Sequence, residues 1–242
     1  MKYRKLFIVT FILLFISGCA DFYMICSLNP FYLDKNVTLS PEIGGKWSVQ
    51  PIRAISETTS GERENVWELA DTTSVWNIKQ FISEEKVKTK RGKDSTVFKP
   101  QNWYVVKLTG NNPDTVRSQF HLTIFRINGV LYGDFCPREL TAIKESRMVK
   151  ENYLTVHTLA RITFQNKQLK VSWLGANYMR DMIERKRIRI QYRYVPDAKR
   201  LLLTGSSKDL TAMLERYADE KRFIDWEDQP AILKLIKLNQ LP

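Results

Sequence analysis

Cysteine, histidine and glycine are scarce in this chain, and each scarcity narrows the chemistry on offer. The 242 residues hold three Cys, two His and ten Gly. No C-x-x-C or H-E-x-x-H spacing occurs, so no standard zinc site is encoded. His121 and His157 fall in different predicted strands, and no metal ligand set is expected. There is no G-x-S-x-G elbow and no glycine loop to cradle a phosphate. No cofactor is implied, and no catalytic residue stands out. A glycosidase needs two carboxylates at a fixed separation, and no pair of acids is marked out by a shared strand or helix face. Neither Cys26 nor Cys136 has a histidine close to it in sequence, which disfavours a thiol site. Long apolar runs are also missing. The longest lies near the start, from Leu6 to Ile16. A membrane-spanning helix needs about 20 apolar residues, and this run falls short.

That run has a specific setting. Lys2, Arg4 and Lys5 precede it without any acid, and Ile16-Ser17-Gly18-Cys19 closes it. A basic start, an apolar stretch and small residues before a cut site read as an export signal. The closing tetrapeptide resembles the lipobox of bacterial lipoproteins. The resemblance implies cleavage between Gly18 and Cys19 and a diacylglyceryl thioether on Cys19. Residues 1–18 are then a signal peptide, and 19–43 a lipidated cysteine with its tether. Cys26 is a rival lipid site, although the branched Ile25 before it fits the motif poorly. More than one acyl chain gives stable anchoring without a transmembrane helix. Ala20, where Asp would favour the inner membrane in enterobacterial sorting, favours the outer membrane. Export also permits a disulfide between Cys26 and Cys136.

Acidic residues are outnumbered, 26 Asp and Glu against 38 Lys and Arg, for a net charge of +12. Removing Lys2, Arg4 and Lys5 with the signal leaves +9 on the mature chain. An exported protein does not share a compartment with nucleic acid. Anionic lipid head groups, lipopolysaccharide or anionic glycans are the expected counterparts. Two basic stretches stand out: Lys86, Lys88, Lys90, Arg91 and Lys93, and then Arg185, Lys186, Arg187, Arg189 and Arg193. Each reads either as a docking face or as a solvated loop.

The rest is mostly strand-like, and the expected class is α+β: an antiparallel barrel or sandwich with helical insertions and C-terminal helices. A single domain is expected over 44–242. Gly45 to Val49, Ser74 to Phe81 and Val97 to Leu108 read as strands. Asn128-Gly129 separates two apolar runs within Phe120 to Cys136, and both residues accept the positive φ of a type I′ turn. Leu154, Val156, Ala160, Ile162 and Phe164 alternate on one face, with His157 and Arg161 on the other. In a lumen these two would contact an anion; on an outer wall they would meet solvent. Asn166-Lys167 turns into the alternating set Leu169, Val171 and Trp173. Ile188, Ile190, Tyr192 and Tyr194 alternate next, and Leu201 to Thr204 pairs with them. Helices are expected at Arg138 to Lys150, at Tyr178 to Lys186, and from Ser206 or Ser207, where Ser206 and Asp209 form a capping pair. Pro230 opens a last helix bearing Ile232, Leu235 and Ile236.

Gly45-Lys46-Trp47 resembles the G-x-W of lipocalin-like barrels, where Trp closes the base. The wider pattern is similar to a group of bacterial envelope lipoproteins. It is carried by Cys26-Ser27-Leu28-Asn29-Pro30-Phe31-Tyr32, Trp47, Val156-His157-Thr158 and Leu203-Thr204-Gly205-Ser206. That resemblance implies no activity, and it makes Cys26 the lipid site in members of the group. Asp71-Thr72-Thr73, Asp94-Ser95-Thr96 and Asp114-Thr115-Val116 resemble the O-glycosylation sequon of Bacteroidota, which would place them in loops. The functional expectation is a lipid-anchored, non-catalytic binding module holding an apolar ligand. An interaction subunit of an envelope complex comes next, then a cryptic hydrolase.

Overall fold

The computed structural model describes residues 25–50, 54–57, 63–66, 75–88, 94–110, 116–139, 155–195, 200–217 and 232–238. The strands are β1 (Cys26–Ser27), β2 (Gly45–Gln50), β3 (Ala54–Glu57), β4 (Arg63–Val66), β5 (Val75–Lys88), β6 (Asp94–Thr109) and β7 (Val116–Ile127). They continue as β8 (Val130–Glu139), β9 (His157–Gln165), β10 (Gln168–Trp173), β11 (Tyr192–Val195), β12 (Arg200–Leu203) and β13 (Ile232–Lys237). Two helices are described, α1 (Ala176–Glu184) and α2 (Ser207–Tyr217).

Eight strands close a barrel in the order β2-β5-β6-β7-β8-β9-β10-β13, and β13 returns to β2. Every pairing around it is antiparallel. The chain is therefore mostly antiparallel β, a closed barrel of lipocalin-like type with added strands and short helices. Local chemistry sets the tight hairpins. Asn128 and Gly129 have φ of 47° and 79°, and Asn166 and Lys167 have 51° and 60°. Paired positive φ values match the right-handed twist of the flanking strands.

Alternation sorts the side chains into two cores. One fills the barrel and draws from all eight strands, among them Trp47, Ile78, Val106, Ile124, Ile162 and Leu235. Trp47 is fully buried, and its indole N–H donates to the Ile43 carbonyl at 2.8 Å. Packing at Gly133 is so close that a Cβ there would lie 2.7 Å from Ile162 and 2.9 Å from Leu122. The second core lies outside the barrel wall. There Phe125, Tyr132 and Leu159 from β7, β8 and β9 meet Ile25 and Phe31, α1 through Met179 and Met182, and α2 through Leu210 and Leu214.

Four expectations need correction. The tether assigned to 19–43 is fold from Ile25 onward: Ile25, Phe31 and Ile43 are fully buried, and the domain does not begin near Gly44. The helix expected after Pro230 is strand β13, because Ile232–Lys237 supplies the ladder between β10 and β2. Arg138 and Glu139 extend β8 rather than starting a helix, and residues 140–150 lie outside the described residues. Asp94-Ser95-Thr96 opens β6, paired to β5, rather than lying in a loop. Asp71-Thr72-Thr73, Asp114, Thr115, Pro230 and residues 1–24, with Gly18 and Cys19, lie outside the described residues.

Candidate functional site on the outer barrel wall

The segment before the barrel is irregular, yet it is bonded at nearly every step. Strand β1 pairs antiparallel with β9 and parallel with β12, so Ser27 faces His157 on one side and Leu203 on the other. The Asn29 amide donates to the Gly205 carbonyl at 2.9 Å. The Thr211 hydroxyl donates to the Phe31 carbonyl at 3.3 Å, and Tyr32 donates to the Thr123 hydroxyl at 3.2 Å. The three sequence segments 26–32, 156–158 and 203–206 thus converge on one corner of the fold. Their shared pattern has a physical basis: each supplies hydrogen bonds that the others need.

At that corner sits a charged pair. Asp134 on β8 has a side chain only 2% exposed, and His157 on β9 is 17% exposed. Asp134 Oδ1 lies 2.7 Å from His157 Nδ1, and its Oδ2 accepts the Phe31 backbone N–H at 2.9 Å. The other ring nitrogen of His157, Nε2, lies 4.0 Å from Cys136 Sγ. Burial would pull the imidazole pKa down. The hydrogen bonds to Asp134 and Cys136, with the charges of both, more than reverse this and hold it at about 10. His157 is therefore an imidazolium at neutral pH. Tyr32, beside them, is pushed up chiefly by burial, with Asp134 among the charges that add to the rise.

An aromatic shelf adjoins the thiol. His121 on β7 is the register partner of Cys136. Trp103 stacks on His121 with ring centroids 4.0 Å apart, and Phe81 stacks on Trp103 at 4.1 Å. The shelf is half-buried and crosses β5, β6 and β7 on the outer face.

The expected contact pair separates. Leu159, fully buried, lies between His157 and Arg161, which sit about 13 Å apart along the strand. Both face the outer wall, and His157 is engaged by Asp134 rather than by solvent. Neither Cys26 nor Cys136 is in a disulfide. Cys26 pairs with Thr158, whereas Cys136 lies on the face of His157, so the two point to opposite sides of the sheet and do not form a disulfide. The grouping of Asp134, Cys136 and His157 was missed in sequence because 21 residues separate Cys136 from His157 and only the β8–β9 register joins them. A local signal was present: Asp134 and Cys136, two apart on a strand, share a face.

Among the described residues no group of three or more His, Cys, Asp or Glu is arranged to hold a metal ion, and no helix is long and apolar enough to cross a membrane. Asp134 and Cys136 approach opposite ring nitrogens of His157, which is a relay arrangement rather than a ligand set. No family model matches the chain, and no curated protein or solved structure matches it either.

Proposed function

We propose that this is an exported envelope protein, anchored by acyl groups on Cys19, whose barrel serves as a scaffold and whose outer wall is the binding surface. It works as a non-catalytic module at an anionic lipid surface, with the outer membrane favoured by Ala20. One observation carries the reading: the chain enters the fold beside a basic, tyrosine-bearing edge. The Ile25 N–H donates to the Leu174 carbonyl at 3.0 Å, two residues before α1 begins. Cys26 is in register with Leu202, and Leu202 with Arg193 on β11. Two strand spacings put Arg193 about 10 Å from Cys26. Six residues from Cys19 to Ile25 reach at most about 20 Å. An acyl chain on Cys19 therefore holds the edge formed by Arg185, Lys186, Arg187, Arg189 and Arg193 against the head groups. Each such charge near an anionic surface is worth roughly 1 kcal/mol. Tyr192 and Tyr194, 45% and 48% exposed, suit the membrane–water boundary.

Two further points support the assignment. Cys26 is 8% exposed between β9 and β12, a poor place for a lipid-bearing side chain. Most inward side chains are also buried, although Leu108, Phe120, Leu131 and Trp173 stay partly accessible, whereas a lumen holding an apolar ligand would leave more of its lining accessible. The binding surface is therefore assigned to the outer wall.

Hydrogen exchange on the full-length protein in vesicles tests the reading. Residues 185–194 should be protected in vesicles containing phosphatidylglycerol and not in pure phosphatidylcholine. Equal protection in both would overturn it.

A second reading has its own observation. Beyond the barrel rim β5 and β6 continue as a two-stranded arm. Ile82 and Phe98, 53% and 62% exposed, share one face of it near Lys86. An exposed apolar face on a protruding ribbon favours an interaction subunit of an envelope complex.

A further inference from the structure

We infer that Cys136 is a nucleophilic thiol that captures small organic disulfides as mixed disulfides, with His157 as its cationic partner and Asp134 as the residue that orients the ring. The geometry carries this. Cys136 Sγ, His157 Nε2, His157 Nδ1 and Asp134 Oδ1 follow in line, at 4.0 Å and 2.7 Å across the two gaps. A nucleophile, an imidazole beside it and a carboxylate that orients the ring have this form. Asp134 is itself fixed by the Phe31 N–H, so the carboxylate that orients the imidazole is held in place. Thiolates are favoured beside cations, and a partly accessible thiol in such surroundings is the reactive kind. Cys136 is partly exposed and Cys26 is buried, which separates the two thiols in one molecule.

The chemistry can be narrowed. Acyl transfer needs donors for an oxyanion, commonly including the amide after the nucleophile. Here that residue is Pro137, which has no N–H. Cys136 is also paired within the β7–β8 ladder. Disulfide exchange needs no oxyanion hole. The Cys136 thiol releases its proton to solvent, and the thiolate lone pair attacks one sulfur of R–S–S–R. A new S–S bond forms as the old one breaks. The departing RS⁻ keeps the electron pair of the broken bond and is protonated from His157 or solvent. Protein thiol and disulfide become mixed disulfide and free RSH, with no net oxidant beyond the disulfide itself. The shelf of His121, Trp103 and Phe81 gives the incoming sulfur an aromatic neighbour, a contact that sulfur favours. Capture is stoichiometric, so it extends a binding module rather than making it an enzyme. It is independent of lipidation, and its failure would leave the membrane reading standing.

The charged and titratable groups around the pair are Asp134 from β8, His121 from β7, Tyr32 and Asp34 from the N-terminal segment, and Arg161 further along β9. The test uses full-length protein in detergent, with modification read at each cysteine by peptide mass spectrometry. Glutathione disulfide should add to Cys136 and spare Cys26. Iodoacetamide at pH 6 should alkylate wild-type Cys136 about tenfold faster than the same residue in His157→Gln. Asp134→Asn should fall between them if it folds, as judged by circular dichroism; His157→Gln decides the matter if it does not. Identical pH profiles for wild type and His157→Gln, or a Cys136 that reacts only in urea, would overturn the inference.

Discussion

A single carboxylate does two jobs at the outer corner. Asp134 holds His157 through one oxygen and the Phe31 amide through the other. A nearly buried charge is tolerable because both oxygens are bonded and an imidazolium balances it. This has a pH signature. The folded-state value for His157 is raised to about 10, against an ordinary value of about 6.5. Its stabilising contribution is complete below about 6.5 and is lost as pH rises through about 10. Between these limits folding takes up a proton, and stability falls by up to about 1.4 kcal/mol per pH unit. Urea denaturation of wild type and His157→Gln from pH 6 to 10 should show a gap that narrows with rising pH. A constant gap would mean that the fold does not raise the ring's pKa.

Among the elements, those defined by local chemistry were the legible ones. Asn128-Gly129 and Asn166-Lys167 announced their turns, because few residues tolerate those φ values in pairs. The start of α2 was equally plain: Ser206 Oγ lies 2.6 Å from Asp209 Oδ2, and the Asp209 N–H donates back to Ser206 Oγ at 3.3 Å. Strand β13 was misread because Ile232, Leu235 and Ile236 fit a helical stripe, while only tertiary pairing distinguishes the strand. The 25–43 segment was misread because its Pro, Asn and Asp content reads as loop. It is irregular, but its partners lie far away in sequence, such as Gly205 for Asn29 and Asp134 for Phe31. The Asp134, Cys136 and His157 cluster was hidden for the same reason. If β13 closes the barrel, Leu235→Ala should cost about 2–4 kcal/mol, since Leu235 is fully buried among the barrel core. A loss below about 1 kcal/mol in chemical denaturation would contradict that placement.

At the scale of the molecule, two cores share one wall. The barrel core makes β7, β8 and β9 rigid from inside, and the outer core packs the N-terminal segment and both helices against the same strands. This doubly packed wall fixes where the chain enters, beside β12 and β11. Basic edge and thiol corner are thereby tied to the side of the barrel where Ile25 joins it. The proposed lipidation of Cys19 would orient both of them. Mass spectrometry of the N-terminal peptide from membrane-extracted protein tests it most directly. A mature chain beginning at Cys19 and carrying acyl mass there is expected. An intact precursor, an unmodified N-terminus, or acyl mass on Cys26 would contradict it.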